Sequence, residues 1–198
     1  MLPMTRALAA LCALTIALAI PASAATQTTV VIFNPWSSSG LRHGFMVSGN
    51  VKGSCGMHSL ASERPDAWRC IAGDDMYDPC FVRSSDERTL ACAESPFSKR
   101  VTLMTVTKAL ADKLKLTGEI WGLRLRGAPW GLHLVSGDTC VFAQGATDAV
   151  AGERLNYACR KTGWIIGVPV RSAPIWTART ADWPNKHVTK VSIAMAVF

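Results

Sequence analysis

Six cysteines beyond residue 25, Cys55, Cys70, Cys80, Cys92, Cys140 and Cys159, constrain this chain more than any other feature. In an exported chain an even set of cysteines reads as a disulfide framework, whereas in a reducing compartment it reads as metal or redox chemistry. The N-terminus decides between them. Met1–Arg6 carries one positive charge, Ala7–Ile20 is an apolar run of 14 residues, and Ala22-Ser23-Ala24 is a small-x-small site ahead of Ala25. That pattern predicts a secretory signal peptide over residues 1–24, cleaved between Ala24 and Ala25, and a periplasmic or secreted product. The run falls short of the roughly 18 to 20 residues that span a bilayer, and no later stretch qualifies, so no transmembrane segment is expected after signal removal. Cys12 lies inside the run and lacks the small-residue site that would mark it for lipidation.

Six cysteines allow fifteen pairings. Neighbourhood along the chain favours Cys55 with Cys70, Cys80 with Cys92 and, most firmly, Cys140 with Cys159. Each would close a short loop and remove entropy from the unfolded chain worth about 2 to 4 kcal/mol. A zinc site is the rival, but the intervals lack C-x-x-C spacing and oxidation competes with thiolate ligation.

Cleavage would leave 174 residues with a net charge of about +6, down from +7 on losing Arg6. This length suits a single mostly-β domain over 25–198, with a small cysteine-rich subdomain at 53–92. A basic excess favours acidic partners: anionic envelope polymers, phospholipid head groups or nucleic acid. The Lys and Arg residues are scattered, and neither a zinc finger, an RRM nor a helix-turn-helix pattern is present, so no nucleic-acid partner is expected.

Strand signals recur along the chain. Thr28–Phe33 is β-branched and apolar and stops at Asn34-Pro35. From Phe45 to Cys55 a strand pattern is interrupted at Gly49-Asn50, which suits a bulge or hairpin. Glu63–Cys70 reads as a short helix, with Pro65 at its entry, Asp66 as cap and Gly73 as stop, and Trp68 facing inward beside Cys70. Val101–Thr107 reads as strand, Lys108–Leu116 has the composition of a short helix, and Ile120–Arg126 reads as a half-exposed strand alternating apolar and basic residues. Leu132–Val135 and Cys140–Ala143 flank Ser136-Gly137-Asp138-Thr139, a hairpin signature. Arg154–Arg160, Trp164–Val170, Ile175–Thr180 and His187–Val197 complete the set. The fold class is therefore mainly β: an antiparallel sheet or small barrel with one short helix, stapled by disulfides.

One stretch carries a family resemblance. G-S-C at 53–55, S-x-A-S-x-R-x-D-A-W-R-C ending at Cys70 and Y-D-P-C-F at 77–81, with later W-G-L-x-L, G-x-x-C and L-N-Y-A-C blocks, resemble an uncharacterised family of exported bacterial proteins. Similar modules occur as extracytoplasmic parts of larger membrane-anchored proteins, some of them kinases. The resemblance spans roughly residues 53–176 and implies an envelope or sensor-type binding module, with no catalytic residues to carry over. His58 departs from its pattern.

Each chemistry-bearing residue also has a plain structural reading. His58, Ser59 and Asp66 supply the residue types of a hydrolase triad, yet adjacent side chains rarely reach one another and no G-x-S-x-G elbow is present. Asp74, Asp75 and Asp78 could offer hard oxygens to Ca²⁺, but they depart from the D-x-D-x-D-G loop and short Asp-rich turns commonly cap backbone amides. Glu63, Asp66, Glu94 and Glu119 could furnish a glycosidase pair, though spacing along the chain does not set their separation. His43, His58, His133 and His187 lie far apart, so no metal and no cofactor is expected. Among the tryptophans Trp36, Trp121, Trp130, Trp164, Trp176 and Trp183, most should fill the core. Trp130 in Gly-Ala-Pro-Trp-Gly and Trp183 in Asp-Trp-Pro-Asn sit in turn sequence and are the candidate ligand-binding platforms. The expected function is a non-catalytic binding or accessory module for an envelope polymer or protein partner. The alternative is a small secreted hydrolase acting on cell-envelope material.

Overall fold

The computed structural model describes residues 26–110, 127–182 and 187–198. Among these described residues fifteen strands follow one another: β1 (Thr29–Val31), β2 (Trp36–Ser37), β3 (Gly40–Leu41), β4 (Met46–His58), β5 (Ala67–Ala72), β6 (Asp75–Arg83), β7 (Asp86–Ala93), β8 (Arg100–Val106), β9 (Gly131–Leu134), β10 (Thr139–Phe142), β11 (Ala149–Val150), β12 (Glu153–Cys159), β13 (Trp164–Val170), β14 (Trp176–Asp182) and β15 (His187–Val197). Among the described residues there is no helix, and none that is long and apolar enough to cross a membrane.

Strands β4 to β8 form a closed barrel. Successive strands run antiparallel, so the first and fifth point the same way, and the β4–β8 seam is parallel, from Met46 opposite Arg100 to Gly53 opposite Val106. A second ring runs β9-β10-β12-β13-β14-β15. Its even strand number lets β15 return to β9 antiparallel, with Val197 opposite Gly131. β1 adds to β15 in parallel, and β2 and β3 form a small hairpin between β1 and the first barrel. Closure leaves few open edges, which suits a protein of short strands.

All three disulfides join residues directly opposite each other on neighbouring antiparallel strands. Cys55–Cys70 links β4 to β5, Cys80–Cys92 links β6 to β7, and Cys140–Cys159 links β10 to β12. The first two lie inside the first barrel with Trp68, Leu90, Met104 and Val106. The third lies in the second barrel's core beside Leu132, Phe142 and Tyr157. Three disulfides fit an oxidising compartment.

The stretch read as a helix at 63–70 is instead the approach to β5. Asp66 does not cap a helix, because Arg64 holds its carboxylate through Nε at 2.9 Å and Nη2 at 2.6 Å. From Trp68 onward burial follows period two: Trp68 and Cys70 face inward, while Arg69 is half-buried and Ile71 exposed. Pairing Cys70 with Cys55 across two strands requires that extended geometry. The bulge expected near Gly49 is present as a register shift between Val47 and Gly49. The segment Lys108–Leu116 lies mostly, and Ile120–Arg126 wholly, outside the described residues.

An aromatic cluster joins the barrels. On β6, Cys80 points into the first barrel and Phe81 therefore points out of it, into the second barrel's core cluster. Phe33 lies 5.3 Å from Phe81 and 5.2 Å from Trp130 between ring centroids, and Ala61 and Ala67 fill the remaining space. Gly131 shows how close the approach is: a Cβ there would stand 2.6 Å from Pro96 Cβ and meet the Phe97 ring. Any side chain at 131 would push the loop before β8 away from β9.

Candidate functional site

The polar residues of the 53–81 stretch meet where β4 ends and β6 begins its inward course. Ser59 Oγ donates to Asp78 Oδ1 and accepts from the amides of Ala61 at 3.0 Å and Ser62 at 2.9 Å. One donor and two lone pairs are all a hydroxyl has, so this one is saturated. Asp78 Oδ2 accepts from Leu60 N at 3.0 Å, with Arg69 Nε 3.9 Å away. Burial pushes the Asp78 carboxyl above its ordinary value, against the opposing pull of the Ser59 hydroxyl, the Leu60 amide, Arg69 and the Ala61 amide. Its backbone carbonyl accepts from Gln144 Nε2 at 2.7 Å, tying the same residue to the second barrel. Asp78 thus shapes the β4–β5 connection and anchors one barrel to the other.

His58 is stacked on Trp68, its cross-strand partner, at 4.6 Å between centroids. Its Nδ1 is buried without a hydrogen-bond partner. Asp66 belongs to the Arg64 pair, so the triad types His58, Ser59 and Asp66 do not form a relay. Asp74 and Asp75 sit exposed at the β5–β6 hairpin, while Asp78 is turned inward to Ser59, so these three carboxylates do not converge as a calcium set. Glu94 pairs with Arg100 at 3.3 Å, Glu63 accepts from Gly127 N, and Glu119 lies outside the described residues.

Asp138 is a second polar hub, in the β9–β10 hairpin. It accepts from Thr139 N at 2.8 Å, Lys161 N at 3.0 Å, Thr162 N at 2.7 Å and Thr162 Oγ1 at 2.6 Å. Its donor atoms and those of Cys140 and Cys159 lie within 4.8 Å of one another. Both sulfurs are spent in the disulfide, so the grouping is not a metal centre. Burial alone would raise the Asp138 pKa, but the Thr162 hydroxyl and the amides of Thr162, Lys161 and Thr139 outweigh it and hold the carboxyl below its ordinary 3.8. A lowered pKa stabilises the fold above the unfolded value and stops doing so as pH falls through the folded one. Asp138→Asn is therefore expected to lose about 2 kcal/mol at pH 7, the usual worth of hydrogen bonds to a charged group. Urea denaturation should show the gap to the parent chain narrowing once pH drops below about 4.

Trp130 does not form the surface platform expected from its turn sequence. It is 2% exposed, packed against Phe33 and Phe81, because the loop into β9 must close the space between barrels. Trp183 lies outside the described residues. Of the other described tryptophans, Trp68 is core, and Trp36, Trp164 and Trp176 are half-buried. Trp36 donates to Phe81 O at 2.8 Å, and Trp176 lies beneath the Arg171 guanidinium, 4.7 Å from its centroid.

The stretch presents to solvent a face that its sequence does not single out. On the outer side of the first barrel Met57, Ile71 and Met76 are each about half exposed, at 48%, 51% and 54%. They surround Arg69: Met57 is its cross-strand partner on β4, Met76 Sδ receives its Nε at 2.7 Å, and Ile71 lies opposite Met76. The signal lies in the period-two alternation of Trp68-Arg69-Cys70-Ile71, which the helix-start chemistry of Pro65 and Asp66 obscures. No family model, curated protein or solved structure matches this chain.

Proposed function

We propose that the chain is an exported, non-catalytic binding module whose partner is a protein, contacted through the Met57–Arg69–Ile71–Met76 face. The observation that carries this reading is that face: three large apolar side chains left to solvent around one cation, on a disulfide-held sheet. Methionines adapt to irregular partners, and Arg69, held between the Asp78 carboxylate and Met76 Sδ, fixes the strand beneath them. The same residues that could have served chemistry act as struts, Ser59 and Asp78 above all. A glycan-binding reading needs an aromatic platform, and the described tryptophans are core or half-buried. The resemblance of G-S-C, D-A-W-R-C and Y-D-P-C-F to exported bacterial modules, and the leader-like first 24 residues, support export.

Ile71→Glu combined with Met76→Glu tests the proposal. The pair is surface-exposed, so the fold should persist with stability changed by less than about 1 kcal/mol. Retention of proteins from the chain's own envelope fraction should fall at least tenfold relative to the parent, read by quantitative mass spectrometry of the eluate. Equal retention by parent and variant would refute the face. Hydrolysis is the second reading, resting on the buried carboxyl of Asp78 and the unpaired Nδ1 of His58. Turnover of the same envelope material, abolished by Asp78→Asn, would favour it.

A further inference from the structure

We infer that the N-terminal half of β4 is a self-association edge, at which a second copy of this chain adds antiparallel about a two-fold axis. This edge does not depend on the proposed partner face, which it adjoins at the β5–β6 hairpin. Strand β4 is 13 residues long, but its pairing with β5 covers only Ser54–His58. Its first half pairs with β8 on the other side, from Met46 to Gly53. Among the described residues nothing pairs with Met46–Lys52 on the β5 side, which leaves an open edge about 20 Å long.

Met46 N donates to Lys99 O, and Thr107 N to Gly53 O, so these two residues turn toward β8. Alternation in a parallel ladder, with the register shift between Val47 and Gly49, turns the backbones of Val47 and Asn50 to the open side. Both residues are exposed, as is Met46 at 59%. Placing Val47 opposite Asn50 of a second copy satisfies both groups of each residue. The symmetry then repeats the pair, giving four backbone hydrogen bonds.

The edge's two ends identify its occupant. At the Met46 end stand Arg42, His43 and Lys99, all exposed; the Lys99 stem lies over the Gly44 turn, and Arg100 beside it is paired with Glu94. At the Lys52 end exposed Lys52 is outnumbered by exposed Asp74 and Asp75 of the β5–β6 hairpin, whose Ala72 packs against Gly53. An antiparallel two-fold brings the basic end of one copy to the acidic hairpin of the other, twice. A two-fold interface must be self-complementary in this way. An all-acidic or all-basic strand from elsewhere would match one end and be repelled by the other.

Sedimentation velocity over a concentration series of the oxidised chain at about 0.15 M salt, where charges further apart than about 8 Å are screened, tests this. The expected result is a reversible monomer–dimer equilibrium. Val47→Pro and Asn50→Pro each remove an outward N–H without touching the β8 ladder, and should raise the dissociation constant at least tenfold. Lys99→Glu and Asp74→Lys should each weaken the dimer, and the two together should restore it, a rescue that misfolding cannot imitate. Near-ultraviolet circular dichroism confirms each fold. A chain that stays monomeric at every concentration, a dimer indifferent to both proline variants, or a charge reversal without rescue would overturn the inference.

Discussion

Replacing Phe81 with alanine is expected to cost about 3 to 5 kcal/mol, the upper range for truncating a buried side chain. Phe81 is fully buried and lies between the barrels, in contact with Phe33, near Trp130, and under the Arg64 guanidinium at 4.8 Å. The cavity left behind cannot collapse easily, because each flank is a closed barrel whose strands are held by ladders and disulfides. Burial of an aromatic ring supplies the transfer part of the loss and the persistent void the rest. Urea denaturation measures it, and tryptophan emission should shift to longer wavelength as Trp130 gains water. A loss below about 1 kcal/mol would mean that the barrels do not rely on this cluster.

Removing the Cys140–Cys159 bridge by double alanine replacement should cost about 3 kcal/mol, from the entropy restored to an unfolded loop with a sequence separation of 19 residues. Both sulfurs touch the second barrel's core, so lost packing adds to the entropy. The result to look for is a lower urea midpoint with an altered m-value, since the unfolded chain is then less compact. Both single mutants should be worse than the double, each leaving an unpaired thiol where a bridge was.

The disulfide pairing is legible in the sequence because the fold is local. In a meander the next strand is the nearest neighbour, so cysteines 12 to 19 residues apart come to lie opposite one another. The hairpin at Ser136–Thr139 and the strands Trp164–Val170 and His187–Val197 are legible for the same reason: turn residues bracket apolar runs that pair with their neighbours along the chain. Asp66 and Pro65 mislead because their helix-start chemistry is real but is taken up by Arg64, while the demand that Cys70 face Cys55 decides the backbone. Strands β6 and β7 escape a reading of the sequence. Their Asp, Glu and Arg residues suggest a loop, and only closure of the first barrel makes Leu90 core, while packing of the second barrel buries Phe81 on the opposite face. Trp130 is misplaced on the surface because a turn sequence predicts exposure only when no second body packs on it. That a second barrel packs there is information carried by Phe33 and Phe81, far off in sequence.

The apolar face around Arg69 lies outside sequence reasoning for a related reason. Exposure of Met57, Ile71 and Met76 is a property of three strands in register, and each residue alone would pass for core. Ser59 and Asp78 show the converse: two residues of catalytic type, 19 apart, become a turn brace once β4 and β6 bring them together.

Covalent bracing of paired strands underlies both barrels. Folded protein taken from its native compartment should be alkylated without reductant, digested and mapped by mass spectrometry. The prediction is that none of the six cysteines carries label and that the linked peptides join Cys55 to Cys70, Cys80 to Cys92 and Cys140 to Cys159. Label on any of the six in folded material, or a different set of links, would contradict it.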